Sequence, residues 1–178
     1  MSVKKIYITP NTFQRDCARL ARKVFDDAWQ PELILALWRG GAVPGIVISE
    51  SFTYLGHAVK HAIIKCTSYA GIGQRGNQVV FQGAEETLAA IKPGQKVLVV
   101  DDVFDSGKSA EAVKLRLPHA DLRIATVYYK PDNNLVGFTP DYWIRETAEW
   151  LVFPHEMDGL TEDELRIKDP ELADILLG

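Results

Sequence analysis

The stretch that decides the fold is Val97-Leu98-Val99-Val100-Asp101-Asp102-Val103-Phe104-Asp105-Ser106-Gly107-Lys108-Ser109. It begins with four aliphatic residues, continues through two adjacent carboxylates, and ends in a turn of small residues that opens a helix. A continuous aliphatic run predicts a strand that is buried on both faces of a parallel sheet. The turn amides and the first helical turn predict a nest of N–H donors, which suits a phosphate monoester. The stretch therefore predicts an α/β fold with an anion site where this strand ends.

The polar residues of this turn narrow the ligand to a phosphorylated sugar. Ser106 and Ser109 add hydroxyl donors for a phosphate. The carboxylates of Asp101 and Asp102 cannot bind phosphate directly, but they suit ribose hydroxyls or a hydrated Mg²⁺. A phosphate nest beside acids for a sugar or a metal fits one ligand, a sugar that carries a phosphate.

Strand and helix candidates alternate along the rest of the chain. The strand candidates are Val3–Ile8, Leu33–Leu37, Ala58–Ile64, Val79–Phe81, Lys96–Val100, Leu122–Tyr129, Tyr142–Ile144 and Trp150–Phe153. The remaining segments are a helix through Phe13–Ala28 capped by Asn11 or Thr12, helices over Pro44–Leu55, Glu85–Ile91 and Lys108–Leu117, a loop over Cys66–Asn77, and a partly helical surface tail from Thr161. This alternation predicts βαβ units around a mainly parallel sheet, with ligands beyond the carboxyl ends of the strands.

The composition predicts one globular domain. The chain has 178 residues, 47% of them hydrophobic, which is enough for one core but not for two full domains. The net charge of −4 and the lack of a long basic run argue against a nucleic-acid or membrane surface. No apolar run approaches the roughly 18 residues of a membrane span. Cys17 and Cys66 lie far apart without metal-ligand spacing, so we expect no disulfide scaffold, no zinc ribbon and a cytoplasmic location.

Two familiar nucleotide-binding motifs do not explain the glycines. Gly107-Lys108-Ser109 has the form of the end of a P-loop, but that motif needs a glycine where this chain has Asp102. The interval 71–76 matches the dinucleotide pattern GxGxxG, but the residues that follow are β-prone and do not open a helix. We interpret the second match as chance.

The quoted stretch resembles the PRPP-binding signature of the type I phosphoribosyltransferases, and its Asp-Ser-Gly-Lys-Ser form is closest to the purine enzymes. Three further segments follow the pattern of the 6-oxopurine enzymes in the same order, so the resemblance spans most of residues 33–153. These segments are Trp38-Arg39-Gly40-Gly41, Thr67-Ser68-Tyr69 with Arg75 downstream, and Lys130 with the later pair Trp143-Ile144.

The resemblance implies a role for each of these residues in binding PRPP. Asp101 and Asp102 would hold the ribose hydroxyls and a hydrated Mg²⁺. The 5′-phosphate would bind the run from Asp105 through Ser106, Gly107 and Lys108 to Ser109. The pyrophosphate would meet Arg39, Gly40, Ser68, Tyr69 and Arg75. The family often has a non-proline cis peptide in its pyrophosphate loop, which would fall here between Trp38 and Arg39.

The resemblance also implies how the base is bound. Lys130 would donate to the O6 atom of a purine, Trp143 would stack on its ring, and Ile144 would meet it through the backbone. Asp105 would lie near purine N7 as the catalytic acid/base. We expect His155, in the closing segment, to be a surface residue rather than a catalyst.

The implied architecture is the type I phosphoribosyltransferase fold, a mainly parallel twisted sheet flanked by helices with a small hood from the terminal segments. We expect a single domain over residues 1–178, with a core of about 30–130, a hood of about 1–10 and 131–157, and a charged tail of 158–178. The implied assembly is a homodimer or homotetramer.

The implied reaction is Mg²⁺-dependent transfer of the 5-phosphoribosyl group from PRPP to N9 of hypoxanthine, guanine or xanthine. One alternative is a PRPP- or nucleotide-sensing regulator on the same fold. A further alternative is a related enzyme for adenine or a pyrimidine, but an ammonium such as that of Lys130 cannot accept a hydrogen bond from a 6-amino group.

Overall fold

The computed structural model of the protein describes residues 4–69 and 78–178, apart from the side chains of residues 67–69 and 78. The strands are β1 (Lys5–Tyr7), β2 (Leu33–Trp38), β3 (Lys60–Tyr69), β4 (Gln78–Gln82), β5 (Lys96–Phe104), β6 (Asp121–Tyr129), β7 (Tyr142–Glu146) and β8 (Trp150–Val152). The α-helices are α1 (Pro10–Phe25), α2 (Ala42–Tyr54), α3 (Glu85–Ala89), α4 (Lys108–Arg116), α5 (Glu162–Lys168) and α6 (Pro170–Leu177).

The main sheet has the strand order β4-β3-β2-β5-β6-β7 across the described residues. Its strands are parallel except for β4, which runs antiparallel to β3. Strand β5 lies between β2 and β6, and the aliphatic run at Val97–Val100 is at most 1% exposed. This burial is the reason for the continuous apolar sequence, and it confirms the predicted fold class.

Glycine lets α2 close onto the sheet. A β-carbon added to Gly45 would lie 2.8 Å from the β-carbon of Ala36 on β2, which is closer than such atoms approach. The helix therefore packs directly on the backbone of the buried strand. Because β2, β5 and β6 are parallel neighbours, the loops that follow them emerge at one edge of the sheet.

Two strands, β5 and β3, extend at least four residues beyond their predicted ends. Strand β5 does not end at Val100 but continues through both acids, because its pairing with β6 runs on to Phe104 opposite Tyr129. Strand β3 continues into the predicted loop, because its last residues pair with β4, from Lys65 opposite Gln82 onward. In both cases a partner strand supplies hydrogen bonds that local sequence does not reveal.

Helix α1 also begins earlier than predicted. The sequence predicted Asn11 or Thr12 as the N-cap. In the structure the side-chain oxygen of Thr9 caps the helix, because it accepts a hydrogen bond from the N–H group of Thr12 at 3.2 Å. Thr9 therefore occupies the capping position, and Pro10 is the first helical residue, where its missing N–H group costs nothing.

The chain divides into two compact units. The larger unit is Gln14–Ala148, and the smaller comprises residues 1–13 with 149–178. Residues 131–148, expected in the hood, belong to the larger unit because β7 pairs with β6. The tail from residue 158, expected as an appendage, belongs to the smaller unit.

The smaller unit is built around a parallel pairing of β1 with β8. The Lys168 ammonium donates to the carbonyl oxygens of Phe153 and Pro154, at 2.9 and 3.0 Å, and to that of Glu156. Helix α5 of the tail thereby fixes the backbone after β8. His155 is not the surface residue we expected, because its half-buried ring stacks on Phe153 with centroids 5.7 Å apart.

Two further observations bear on the cysteines and on membrane-spanning segments. Cys17, on α1, and Cys66, on β3, are both free thiols. Within residues 4–69 and 78–178, no helix has the length and apolar character needed to cross a bilayer.

Candidate functional site

The turn after β5 forms an anion-binding nest. Gly107 has a φ of +79°, a conformation that L side chains rarely adopt, and it directly precedes the first residue of α4. A β-carbon there would lie 2.5 Å from Cγ2 of Val136. Glycine is therefore required both for the backbone turn and for the packing beneath it. The free N–H groups of the α4 N-terminus carry a positive partial charge that favours a phosphate.

A cavity of about 230 Å³ opens at this nest. One water occupies about 30 Å³ of liquid, so the space accepts a group of the size of a phosphate with part of a sugar. Seven of the predicted site residues line it, namely Asp101, Asp102, Asp105, Ser106, Gly107, Lys108 and Ser109.

The carboxylates of the two adjacent acids interact with each other and, beyond the pair, with different thiols. The Asp101 carboxylate accepts the N–H group of Asp102 at 3.0 Å. It also acts electrostatically on the Cys66 thiol, which bonds Ser109 at the phosphate nest. The charge of Asp102 instead acts on Cys17 of α1, whose pKa burial raises to about 12. Burial, and then the charge of Asp102, raises the pKa of Asp101 well above its ordinary value of 3.8.

The glycine loop after β2 lies directly against Asp102. A β-carbon on Gly40 would lie 2.4 Å from Oδ1 and 2.6 Å from Oδ2 of Asp102, which is 6% exposed. The peptide bond between Trp38 and Arg39 is cis, as the family resemblance implied. Arg39 itself is exposed. The structure thus brings the predicted pyrophosphate loop onto the predicted metal and ribose acids.

Lys130 and Asp105 form an ion pair at the same edge of the sheet. Lys130 directly follows β6 and is 6% exposed, and its Nζ donates to Asp105 Oδ2 at 2.9 Å. The amide of Asn133 donates to the other carboxylate oxygen at 2.6 Å. The N–H group of Leu135 donates to the carbonyl of Ser106, so the loop after Lys130 is tied to the phosphate turn. Both oxygens of the predicted catalytic carboxylate are therefore held in place.

Trp143 and Ile144 lie on β7, beyond β6 from the acids. The Trp143 indole is half-buried, meets the Tyr129 ring edge-on at 5.6 Å, and donates its Nε1–H to Glu146. Trp143 and Ile144 are not among the residues that line the 230 Å³ cavity. The side chains of Ser68 and Tyr69, and the whole of Arg75, lie outside the described residues.

Sequence reasoning missed two polar residues at this site. Thr126 is 1% exposed, lines the cavity, and its hydroxyl has no hydrogen-bond partner among the described residues. The sequence could have indicated Thr126, because it places a hydroxyl within the apolar run of β6 and buried hydroxyls rarely lack a hydrogen-bond partner. Asn133 lies three residues after Lys130, but its contact with Asp105 depends on a turn that sequence does not specify.

A larger groove lies at the opposite edge of the sheet. It measures about 840 Å³ and is lined by residues at the amino ends of strands, including Leu33 and Lys60. Parallel sheets bind ligands at the carboxyl ends of their strands, and the predicted residues converge there. We therefore assign the functional site to the smaller cavity.

A family model for the phosphoribosyl transferase domain matches residues 2–158. A purine phosphoribosyltransferase from Pyrococcus horikoshii Ot3 is similar at 27% identity, with 88% of this chain and 97% of that chain covered and a TM-score of 0.68. A xanthine-guanine-hypoxanthine phosphoribosyltransferase from Helicobacter pylori is similar at 21% identity, with 95% and 99% covered and a TM-score of 0.65. A hypothetical protein from Neisseria gonorrhoeae with bound ppGpp is similar at 20% identity, with 96% and 99% covered and a TM-score of 0.71.

The anion nest, the paired acids and the glycine loop thus occur on the fold of known phosphoribosyltransferases. The chain belongs to the phosphoribosyltransferase domain family. It is an enzyme of the glycosyltransferase class.

Asp101→Asn should raise the free energy of unfolding of the ligand-free protein near neutral pH. An acid whose pKa is raised by folding contributes stability below its unfolded pKa, near 3.8, and loses that contribution as pH rises through the folded value. The increase in the free energy of unfolding caused by the substitution should be small at about pH 4 and should grow toward about pH 7. Thermal unfolding in a metal chelator measures it.

The exposed carboxylate of Asp132 provides the matched control for this experiment. Asp132→Asn should leave the unfolding temperature within experimental error at every pH. A gain for Asp101→Asn that stays constant from acid to neutral pH would contradict the electrostatic origin of the effect.

Proposed function

We propose that this protein transfers the 5-phosphoribosyl group of PRPP to N9 of a 6-oxopurine, releasing pyrophosphate and a nucleoside 5′-monophosphate. The observation that carries the proposal is the buried ammonium of Lys130 beside the phosphate nest. An ammonium donates hydrogen bonds and accepts none, so it favours a base with a carbonyl oxygen over one with an amino group. The similar enzyme from Helicobacter pylori is named for three 6-oxopurines, and the one from Pyrococcus horikoshii is named for a purine, which supports a purine base.

The 5′-phosphate of PRPP would bind the nest between Asp105 and Ser109. Backbone N–H groups at the start of α4 supply directional donors, and the hydroxyls of Ser106 and Ser109 add two more. PRPP is strongly anionic and the protein carries a net charge of −4, so local donors rather than the overall field must bind it.

The acid pair suits a magnesium ion that takes its remaining ligands from water and substrate. No group of three or more ligating side chains occurs in the part of the chain that the structure describes, so the site offers a metal ion the two neighbouring carboxylates of Asp101 and Asp102. Mg²⁺ commonly binds one or two carboxylates and takes its other ligands from water and substrate phosphates. Asp101 and Asp102 would hold such an ion, which would neutralise charge on the leaving pyrophosphate.

The reaction breaks the bond between C1′ and the pyrophosphate oxygen, whose electron pair leaves with pyrophosphate. Arg39 and the backbone at Gly40 would bind this leaving group, where negative charge develops. Purine N9 forms the new bond to C1′, and the base loses one proton. Asp105, which is paired with Lys130 before the reaction, would accept that proton from N7 and become neutral, while Lys130 donates to O6.

Asp105→Asn tests this catalytic role. The variant keeps the backbone N–H groups that bind phosphate but cannot accept a proton, so kcat should fall about 100-fold or more. The dissociation constant of PRPP should stay within about three-fold of wild type, since backbone donors bind the phosphate. Steady-state rates and calorimetric titration with PRPP measure the two quantities.

Asp132→Asn serves again as the control, because it removes an exposed carboxylate from the turn after Lys130. Equal losses in kcat and PRPP affinity for Asp105→Asn would refute a role specific to proton transfer.

The proposed function is tested by a spectrophotometric assay with PRPP, Mg²⁺ and each of hypoxanthine, guanine, xanthine and adenine. We expect turnover with at least one 6-oxopurine and none with adenine, because Lys130 cannot accept from the 6-amino group. Turnover with adenine alone would refute the proposed base class.

A second function is supported by the Neisseria gonorrhoeae structure, which holds ppGpp. On this alternative the protein senses PRPP or a nucleotide and catalyses little. This alternative predicts no turnover with any of the four bases, while PRPP or ppGpp still raises the unfolding temperature.

We further propose that the protein is a homodimer or homotetramer. Helix α2 supports an assembly because it exposes Ile46, at 65%, and Tyr54, at 91%, to solvent. Exposed apolar residues grouped on one element are typical of an interface.

A further inference from the structure

Strand β7 carries the proposed base-binding residues from an edge of the sheet. It is the last strand in the order, and it is paired with β6 through residues such as Trp143, opposite Thr126. An edge strand has one row of ladder hydrogen bonds to hold it, so contacts from other elements determine how firmly it is placed. Helix α1 supplies such contacts at two points.

The first point is a buried carboxylate. Asp16 on α1 is 0% exposed, and its oxygens accept from Arg145 of β7, with Nε at 2.6 Å and Nη2 at 3.2 Å. Arg19, one turn along α1, donates to the same carboxylate at 2.6 Å. A buried charge with two guanidinium partners is strongly localised, because losing either partner removes part of the interaction that compensates its desolvation.

The second point is Lys23. Its Nζ donates to the carbonyl oxygen of Trp143 at 3.0 Å and lies 5.0 Å from the centroid of the Trp143 ring. One ammonium therefore holds both the backbone and the indole of the residue proposed to stack on the base. The two contacts together fix the position and the tilt of the ring.

The spacing of these residues matches helix to strand. Asp16 and Lys23 are seven residues apart, which places them on one face of α1 about 10 Å apart. Trp143 and Arg145 are two residues apart on β7, about 7 Å along the strand, so their side chains share one face. A helix face and a strand face of comparable length thus meet in two polar contacts, which we call the α1–β7 clamp.

We propose that Asp16 and Lys23 are positioning residues for the base, acting through the α1–β7 clamp on Trp143 and Ile144. This inference rests on the proposed function, because it assumes that β7 binds the purine. Neither residue lines the cavity proposed for the ribose and 5′-phosphate. Loss of the clamp should therefore weaken base binding and leave PRPP binding unchanged, a separation that a general loss of stability would not produce.

The test is initial-rate kinetics with the best 6-oxopurine, at saturating PRPP and then at saturating base. Lys23→Met keeps the aliphatic stem and removes the charge, and should raise the KM for the base about three-fold to five-fold. Asp16→Asn should raise it about ten-fold or more, because Arg145 loses its charged partner. The KM for PRPP should change less than about two-fold in both variants. Lys23→Arg, which keeps the positive charge, should have a KM for the base closer to the wild-type value than to that of Lys23→Met.

Arg22→Met is the matched control. Arg22 is the neighbour of Lys23 on α1, is 58% exposed, and pairs with Asp26 rather than with β7. It should leave both KM values unchanged. If Asp16→Asn does not fold, the other three variants test the clamp. The clamp then requires a raised KM for the base in Lys23→Met but not in Arg22→Met or Lys23→Arg.

The outcomes separate this inference from the function on which it rests. Selective loss of base affinity supports the clamp. Wild-type turnover combined with equal changes in both KM values, or with no change, overturns the clamp and leaves the proposed function standing. Absence of turnover by the wild-type enzyme overturns the proposed function and the clamp with it.

Discussion

The close approach of the Gly40 backbone to the Asp102 carboxylate is the constraint on which the site depends. Strands β2 and β5 are parallel neighbours in register from Leu33 opposite Val97 to Ala36 opposite Val100. Their following loops must therefore share a small space. A β-carbon added to Gly40 would lie 2.4 Å from the Asp102 carboxylate. One added to Gly41 would lie 2.1 Å from the carbonyl oxygen of Val100. Two successive glycines let the loop after β2 lie against the last part of β5, and this contact places a candidate pyrophosphate site against a candidate metal site.

The same arrangement sets the electrostatics of the site. Two acids at the end of a buried strand are poorly solvated, and the raised pKa of Asp101 shows the cost of keeping both ionised. The opposing positive field comes from the N-terminus of α4, from Arg39 and from the ammonium of Lys130, which is already paired with Asp105. A ligand with both anionic groups and a cation would balance these charges locally. For this electrostatic reason we propose that PRPP with Mg²⁺ suits the site better than either alone.

The sequence predicted those parts of the fold and site that depend on local pattern. The aliphatic run before Asp101 required a buried strand, and the positive φ of Gly107 agrees with the small-residue turn from which the nest was predicted. The extension of β5 beyond Val100 depends on its pairing with β6, which no local pattern encodes. The contacts of Asp16 with Arg145, and of Lys168 with three carbonyls, join residues far apart in the chain. Such long-range polar contacts are fixed by tertiary packing, so a single sequence does not reveal them.

Calorimetric titration of PRPP with Mg²⁺ into Gly40→Ala tests the central claim most directly. The methyl group would occupy the space between the loop after β2 and the Asp102 carboxylate of β5, whereas Gly137→Ala places its methyl group in open space and serves as the control. The account predicts wild-type affinity for Gly137→Ala and a loss of about ten-fold or more for Gly40→Ala, which corresponds to about 1.4 kcal/mol. Wild-type affinity for Gly40→Ala would contradict it, because PRPP binding would then not require the close approach of Gly40 to Asp102.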